Sequence, residues 1–206
     1  SGSGKTTLIK ILLKFYYNYS GDIFYDQINQ KELSAKSLRS CCGVVMQDGY
    51  IFSDTLERNI ATGGGTVNKD MLLRAVQIAE LEDFVRSLPQ GFNTMLGTGG
   101  NGISGGQRQR ILIARAVYKN PNFFLFDEAT SSLDAETERK IYDNLDIFLK
   151  GKTVIKIAHR LSTVKNANQI IVLKKGRIIE CGIHTELINA KGAYYNLVKN
   201  QLELGN

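Results

Sequence analysis

The first residues of the chain combine the residue types that bind phosphate groups. Gly2 and Gly4 lack a Cβ atom, so the backbone can curve until several N–H groups point at one spot. The helix predicted to follow adds partial positive charge there. Lys5 can reach a terminal phosphate oxygen, and the Thr6 hydroxyl can ligate Mg²⁺. The segment predicts a cradle for a nucleoside triphosphate; the alternative is a Gly/Ser linker before a helix cap. The residues assigned to the cradle are Gly2, Ser3, Gly4, Lys5, Thr6 and Thr7.

A second candidate site stands where an apolar run meets two acids. The run 123–126 has the pattern of a strand that is buried on both faces, and Asp127 and Glu128 follow it. Ligands of α/β folds bind at the carboxyl ends of such strands. Asp127 is therefore predicted to hold Mg²⁺, and Glu128 to act as the general base toward an attacking water. The alternative is a buried strand that stops at a turn.

A pair of glycines at the start of a predicted helix indicates a third site. Ser104 and Gln107 have the spacing of a capping box, which is the simplest explanation of the segment. Gly105 and Gly106, however, cost about 1 kcal/mol each relative to alanine in a helix. The sequence shows no local gain for that cost. We therefore interpret Ser104–Gln107 as a second helix N-terminus that a phosphate group approaches closely.

Composition excludes several classes of protein. The 206 residues suffice for one domain with a sizeable core, and 43% hydrophobic and 22% charged residues are ordinary for a globular protein. The net charge of +6 is spread along the chain, so no nucleic-acid partner is predicted. Cys41, Cys42 and Cys181 have no zinc-site spacing and are predicted to be reduced thiols. No apolar run reaches the roughly 18 residues that a membrane span needs.

Apolar strands that alternate with helices predict an α/β fold with a largely parallel sheet covered on both faces. The block 54–120 is mostly helical and interrupts that alternation, so we predict an α/β core of residues 1–53 and 121–206 with an inserted helical subdomain. The predicted strands are 22–25, 43–46, 123–127, 153–157 and the hairpin 169–173 with 177–181. The predicted helices are 5–14, 33–40, 56–61, 71–79, 82–88, 104–118, 134–149 and two at the C-terminus.

The run Ile103–Arg110 resembles the signature motif of ATP-binding-cassette (ABC) ATPases, with Ile103 where Leu is usual. The order of phosphate loop, Gln47, signature, acidic pair, 131–134 and 157–160 is similar to the full motif set of that family and covers essentially the whole chain. The resemblance implies a P-loop NTPase-like, mostly parallel sheet flanked by helices, with an inserted helical subdomain. It also implies ATP and Mg²⁺ as ligands, and ATP hydrolysis as the activity.

The resemblance gives roles to three further residues. Gln47 resembles the glutamine that contacts Mg²⁺ and water and couples to the transport domain; the alternative is a polar strand end. Asp134 resembles an aspartate at the dimer interface, and the alternative role, a helix N-cap, is compatible with it. His159 resembles the histidine that contacts the γ-phosphate and orients Glu128, although a lone histidine after a strand is often structural. His184 matches no motif and is interpreted as a surface or capping residue.

The resemblance also implies partners. Two nucleotide-binding domains pack head to tail, so ATP lies between the phosphate loop of one and the signature of the other. A transmembrane domain, expected upstream on the same polypeptide, would place the chain at the cytoplasmic face of the cell membrane. The loop 98–102, the run 158–163 and the tail 197–206 are similar to bacterial exporters of bacteriocins and other peptides, which carry an upstream peptidase domain. No Glu stands between Thr94 and Gly102, where many exporters have one.

The chain is expected to be a fragment cut inside its phosphate loop. The first Gly of the full loop pattern, the strands before it and an adenine-stacking aromatic residue are expected upstream, so these 206 residues alone should bind ATP weakly. One alternative is a non-transport ABC ATPase of the DNA-repair or chromosome-organising type, which the absence of heptads in 54–103 disfavours. The other is an inactive interaction module.

Overall fold

Outside the block 54–120, which is helical, the chain contains both helices and strands, as the apolar patterns predict. The computed structural model describes residues 2–97, 102–127, 129, 132–157 and 164–204. In chain order the elements are α1 (Lys5–Leu12), β1 (Phe24–Tyr25), β2 (Ile28–Asn29), a 3-10 turn (Gln30–Glu32), α2 (Ala35–Ser40), β3 (Cys42–Val45), α3 (Leu56–Ile60), α4 (Lys69–Ile78), α5 (Glu82–Ser87), a 3-10 turn (Gly91–Asn93), α6 (Gly105–Lys119), β4 (Phe123–Asp127), α7 (Ala135–Phe148), β5 (Thr153–Ile157), β6 (Ile170–Lys174), β7 (Arg177–Gly182), α8 (His184–Asn189) and α9 (Ala193–Leu204).

The chain divides into two compact units. The first unit combines Ser1–Ala35 with Lys156–Asn206, and the second is Lys36–Ile155. The described part of the block 54–120 contains helices and one isolated bridge between Thr55 and Met95. The inserted helical subdomain over that block remains a prediction. Within the described residues, none of the helices combines the length and the apolar character that crossing a membrane requires.

The sheet of the second unit places the acidic strand in the middle. Its strand order is β3–β4–β5, and β3 runs parallel to β4 with Cys42 opposite Phe123 and Val45 opposite Phe126. Strand β4 is buried along Phe124–Asp127, as expected for a central strand covered on both faces. The predicted fold class, a largely parallel sheet flanked by helices, is confirmed.

Helix α6 runs through the core of the second unit. Ser104 caps its start, and Asn120 ends it in the left-handed conformation (φ 47°) directly before Pro121. Its apolar residues are buried around much of the helix circumference, as in a core helix rather than a surface one. The buried side chains of α6 are Gln109, Ile111, Leu112, Ile113, Ala114, Ala116 and Val117.

The first unit has its own small core. Strands β6 and β7 form the predicted antiparallel hairpin, with Ile170 opposite Gly182 and a turn between Lys174 and Arg177. The buried residues Ile170, Val172, Leu187, Tyr194 and Val198 join that hairpin to α8 and α9. His184 lies at the start of α8, where its Nδ1 is 2.8 Å from the Tyr194 hydroxyl. It is therefore a packing residue of this small core.

Candidate active site

The phosphate loop adopts the curved backbone that its glycines predict. Gly2 has φ +77° and Gly4 has φ +93°, a left-handed region that L residues with a Cβ atom rarely adopt. Gly4 is the N-cap of α1. The loop is tied to the β6–β7 turn of the same unit, because the Gly176 N–H donates to the Ser3 carbonyl at 3.2 Å. The loop conformation is thus set by glycine chemistry and by one backbone anchor.

The N-terminus of α1 is open to an anion. Gly4 has no side chain, and no side-chain cap is present at this end within the described residues. The first N–H groups of a helix have no intrahelical acceptor and carry the positive end of the helix dipole. Thr6 and Thr7 are exposed in the first turn, and the Lys5 ammonium donates to Ser3 Oγ at 3.1 Å. These groups fit a phosphate ligand and a metal-ligating hydroxyl.

Asp127 is a buried carboxylate at the end of β4. Its side chain is 1% exposed, and its Oδ1 atom has no hydrogen-bond partner among the described residues. A buried anionic oxygen without a donor is costly unless a cation is nearby. Oxygen ligands of this kind suit Mg²⁺, which takes one or two carboxylates and completes its shell with water and substrate phosphates. Among the described residues no cluster of three or more metal-binding side chains exists.

Gln47 lies at the same edge of the sheet as Asp127. Strand β3 ends at Val45, opposite Phe126, so the parallel register carries both chains to the same end of the sheet. The Gln47 side chain is exposed. The structure therefore brings Gln47 and Asp127 to one edge of the sheet, and their role in binding Mg²⁺ stays a prediction. Glu128, the predicted general base, lies outside the described residues.

The signature segment is capped as its spacing predicts. Ser104 Oγ accepts from the Gln107 N–H at 3.1 Å, and Gln107 Oε1 accepts from the Ser104 N–H at 2.8 Å. For Gly106 the close approach that the sequence indicates is made by the chain itself, at residues distant in sequence. A Cβ atom there would lie 3.3 Å from the Ser132 carbonyl oxygen and 3.4 Å from Leu133 Cδ2. Gly106 therefore permits close packing of α6 against residues 132–133.

The segment before α7 is held by α6. The Ser132 N–H donates to Gln109 Oε1 at 2.9 Å, and the Gln109 side chain is buried. Asp134 is the N-cap of α7 and accepts from the Thr137 N–H at 2.9 Å. Hydrogen bonds from Thr137 lower the pKa of the Asp134 carboxyl below its usual 3.8. The predicted cap is confirmed; the predicted interface role stays a prediction. Ser131 and His159 lie outside the described residues.

Comparison with known proteins decides the family. The model of the family described as "ABC transporter" matches residues 1–131, more than half of the chain. The chain belongs to the ABC transporter family.

Curated relatives in this family have similar sequences. The chain is 46% identical over 201 residues to "ABC transporter B family member 14" of Arabidopsis thaliana, which covers 98% of the chain and 16% of the relative. It is 46% identical over 202 residues to the "ATP-dependent lipid A-core flippase" of Methylococcus capsulatus, with 98% and 34% covered. It is 46% identical over 204 residues to "Multidrug resistance protein 4" of Entamoeba histolytica, with 98% and 16% covered. The chain thus spans 34% of the length of the flippase and 16% of the length of the other two relatives.

A solved ABC exporter has the same fold. The structure described as a bacterial Atm1-family ABC exporter with ATP bound superposes with a TM-score of 0.94 at 39% identity, over 98% of the chain and 36% of the other. Within the ABC transporter family the chain is accordingly an ATPase domain of the exporter type. The predicted ABC family, its exporter type and the fold class are confirmed, whereas the bacteriocin-exporter group is not shown.

The sequence interpretation missed one polar cluster of the second unit, formed by Arg115 and Asn59. Arg115 stands alone within the apolar run 111–117 of α6, and an isolated charge in a buried run signals a side chain that needs internal partners. Asn59 is fully buried between apolar neighbours of α3. Each position is marked in the sequence by a single polar residue within a predicted core helix, but the sequence does not show which residues it contacts.

Proposed function

We propose that this ABC domain hydrolyses ATP to power export by the longer protein that contains it. The observation that carries the proposal is the buried Asp127 carboxylate, whose Oδ1 has no donor among the described residues and which lies at the sheet edge that also carries Gln47. A fixed, desolvated anion at that edge serves a cation bound with phosphate groups. The family resemblance assigns the complementary positive groups to Lys5 and to the start of α1, which no side chain caps within the described residues.

Different residues bind the triphosphate, hold Mg²⁺ and activate the attacking water. The N–H groups of the phosphate loop and Lys5 orient the triphosphate. Thr6, Gln47 and Asp127 would hold Mg²⁺, which when bound neutralises charge that develops on the β- and γ-phosphates. Glu128 orients water for in-line attack on the γ-phosphate and accepts its proton, and His159 orients Glu128. The roles of Glu128 and His159 are carried over from the family resemblance.

The second half of the ATP site comes from a second copy or a related domain. Ser104 and Gln107 satisfy each other, which leaves the Gly105 and Gly106 N–H groups at the positive end of α6. In the proposed head-to-tail dimer these groups meet the γ-phosphate bound by the partner domain, and Asp134 lies at the interface. ATP then joins the two domains, and its hydrolysis loosens them.

The membrane setting is part of the proposal. The relatives in this family carry names of multidrug resistance proteins and a lipid A-core flippase, which support an exporter with transmembrane domains at the inner side of a membrane. A peptide or bacteriocin cargo and an upstream peptidase domain were predicted from loop and tail similarity, and these names do not support them.

Two variants of the full-length protein test the proposal. Lys5→Ala should abolish ATP binding and turnover, since it removes the ammonium at the triphosphate. Glu128→Gln should abolish turnover but retain ATP-dependent association of the domains, because the carboxamide cannot accept the proton of the attacking water. Lys10→Ala, on the last turn of the same α1 helix, is the matched control and should behave as wild type. Unchanged ATPase activity in both site variants would contradict the assignment.

A further inference from the structure

Arg115 fastens helix α6 to the chain that follows Gln47. Its Nη1 donates to the Tyr50 carbonyl at 2.9 Å, and its Nε donates to the Asn59 carbonyl at 2.7 Å. Its Nη2 lies 3.2 Å from Asn59 Oδ1. The guanidinium also stacks over the Phe52 ring, 5.0 Å from its centroid. One side chain thus contacts three residues of the 50–59 segment.

Asn59 extends this connection across the segment. Its side chain is fully buried, its Oδ1 accepts from the Phe52 N–H at 2.8 Å, and its Nδ2 donates to the Phe52 carbonyl at 2.9 Å. Nδ2 also lies within hydrogen-bond distance of the Asp54 and Thr55 carbonyls. The Asn59 side chain thereby forms two hydrogen bonds with the backbone of Phe52, one to its N–H and one to its carbonyl, as a neighbouring strand would. Side chains of α3 and α6 thus hold residues 50–52, while Asp54 and Leu56 also form backbone hydrogen bonds with Leu96 and Thr94.

The link reaches back to Gln47 through a glycine. The Gly49 N–H closes a turn on the Met46 carbonyl at 3.2 Å, and this turn contains Gln47. A Cβ atom at Gly49 would overlap the Leu112 side chain of α6. Leu112 and Arg115 are three residues apart and share one face of α6. The two α6 residues therefore fix the chain directly beyond the turn that presents Gln47.

A charged side chain is unusual for holding one segment against another in a partly buried position. Burial lowers the pKa of Arg115 to about 10, which still leaves it charged at neutral pH. Within the described residues its hydrogen bonds go to uncharged oxygens, so no ion pair offsets its desolvation. Only a planar fork of donors reaches the Tyr50 and Asn59 carbonyls together, and a lysine ammonium cannot reproduce that geometry.

We infer that Arg115 is a positioning residue that sets the place of Gln47 at the Mg²⁺-binding edge by fastening residues 49–59 to the signature helix α6. The inference rests on the proposed function for the role of Gln47. It adds that the helix that begins at the signature also determines the geometry of the glutamine. The signature and Gln47 are then joined within one copy of the domain.

The positioning itself is tested without turnover. Arg115→Lys in the full-length protein should speed hydrogen exchange of the Phe52 amide and its neighbours up to Asn59 by about tenfold. Arg110→Lys is the matched control: Arg110 is also on α6, burial also lowers its pKa, and it donates to the Glu80 carbonyl instead of this segment. The control should leave exchange over 50–59 unchanged. Equal exchange in the two variants would overturn the inference.

The effect through Gln47 is tested by a double-mutant cycle. Arg115→Lys and Gln47→Ala should each raise the Mg²⁺ concentration for half-maximal ATPase activity by about tenfold. The double variant should match Gln47→Ala alone, because Arg115 acts through that side chain. Additive effects, or a normal Mg²⁺ requirement in Arg115→Lys, would overturn the inference. If wild type has no ATPase activity, or if its activity survives the Lys5→Ala substitution, the proposed function fails. The hydrogen-exchange comparison then still decides whether Arg115 holds the 50–59 segment.

Discussion

Helices α1 and α6 both begin beside a pair of glycines, yet the two ends are built differently. At α1 the glycines precede the helix and have positive φ angles, +77° at Gly2 and +93° at Gly4. No side chain caps this end within the described residues. Glycine is needed there for the backbone path itself. The result is a helix end whose first N–H donors have no side-chain acceptor in the part of the chain that the structure describes.

At α6 the glycines lie inside the helix and serve packing. Gly105 and Gly106 do not have positive φ angles. Ser104 and Gln107 cap this end of the helix. A Cβ atom on Gly106 would press on the Ser132 carbonyl, whereas one on Gly105 would make ordinary contacts of 3.6 Å or more with the Ser132 side chain. Glycine is needed at Gly106 for close approach and not for conformation.

The contrast separates two kinds of anion site. The α1 end presents its N–H donors to a ligand and should lose ligand affinity when its backbone is perturbed. The α6 end is already satisfied by its own residues and should lose fold stability first. Substitution of a glycine is therefore expected to reduce ligand affinity at the start of α1 and fold stability at the start of α6.

The largest effect is expected at Gly4. Gly4→Ala forces a Cβ atom into a left-handed conformation, a strain of about 1–2 kcal/mol, and the loop relaxes by turning N–H donors away from the phosphates. ATP affinity of the full-length protein should fall roughly tenfold to a hundredfold, as measured by calorimetry. Gly65→Ala is the matched control, since Gly65 also has a positive φ of +88° and no assigned role. A Cβ atom added there would meet no atom within 4 Å apart from its chain neighbours.

The control should lose stability to a similar extent but retain wild-type ATP affinity. Equal ATP affinities in Gly4→Ala and wild type would break the comparison, because the loop backbone would then not be shaped for the ligand.

The next effect separates the two glycines of α6. Gly106→Ala should destabilise the protein by about 1.5 kcal/mol in denaturant unfolding, because the Ser132 backbone and Leu133 must move. Gly105→Ala should stabilise it by about 0.5 kcal/mol, since alanine reduces the freedom of the unfolded chain. If Gly105 is also approached by the partner's γ-phosphate, the stabilised variant should show weaker ATP-dependent association. Two variants of equal stability would contradict the packing explanation for Gly106.

A smaller loss is expected at the cap of α6. Ser104→Ala removes the acceptor for the Gln107 N–H and should cost about 1 kcal/mol. Ser104→Thr keeps the hydroxyl and should cost much less in the same unfolding measurement. If the two substitutions cost the same, the capping box does not stabilise this end, and the contrast with the uncapped α1 end disappears.

The elements that the sequence predicts well are those with a strong local signal. Strands β4 and β5 have the bounds predicted from their apolar runs, and α6 and α7 begin one residue after their predicted caps, Ser104 and Asp134. The β1–β2 hairpin was half missed, because each strand has two residues and shows no periodicity. Helix α1 ends at Leu12, two residues before its predicted end at Lys14, which adopts a left-handed conformation of φ 57°.

Contacts between distant segments could not be predicted. The reason for Gly106 lies in Ser132, 26 residues further along the chain, and the partners of Arg115 lie 56 and 65 residues away. No local rule contains that information, because it depends on how α6 packs into its unit. The types of the site residues were readable from sequence, whereas the supports that hold them required the fold.

The smallest effect is expected at a third helix end and concerns pH. Asp134 caps α7, and hydrogen bonds from Thr137 lower the pKa of its carboxyl below 3.8 in the folded protein. The stabilisation is therefore complete above about pH 4 and is lost as pH falls through the lower, folded pKa. Asp134→Asn can cap the helix without titrating, so its stability should equal that of wild type near pH 7 and fall less steeply below pH 4 in denaturant unfolding. Parallel pH profiles for the two proteins would show that this cap is independent of charge, as the neutral Ser104 cap of α6 must be.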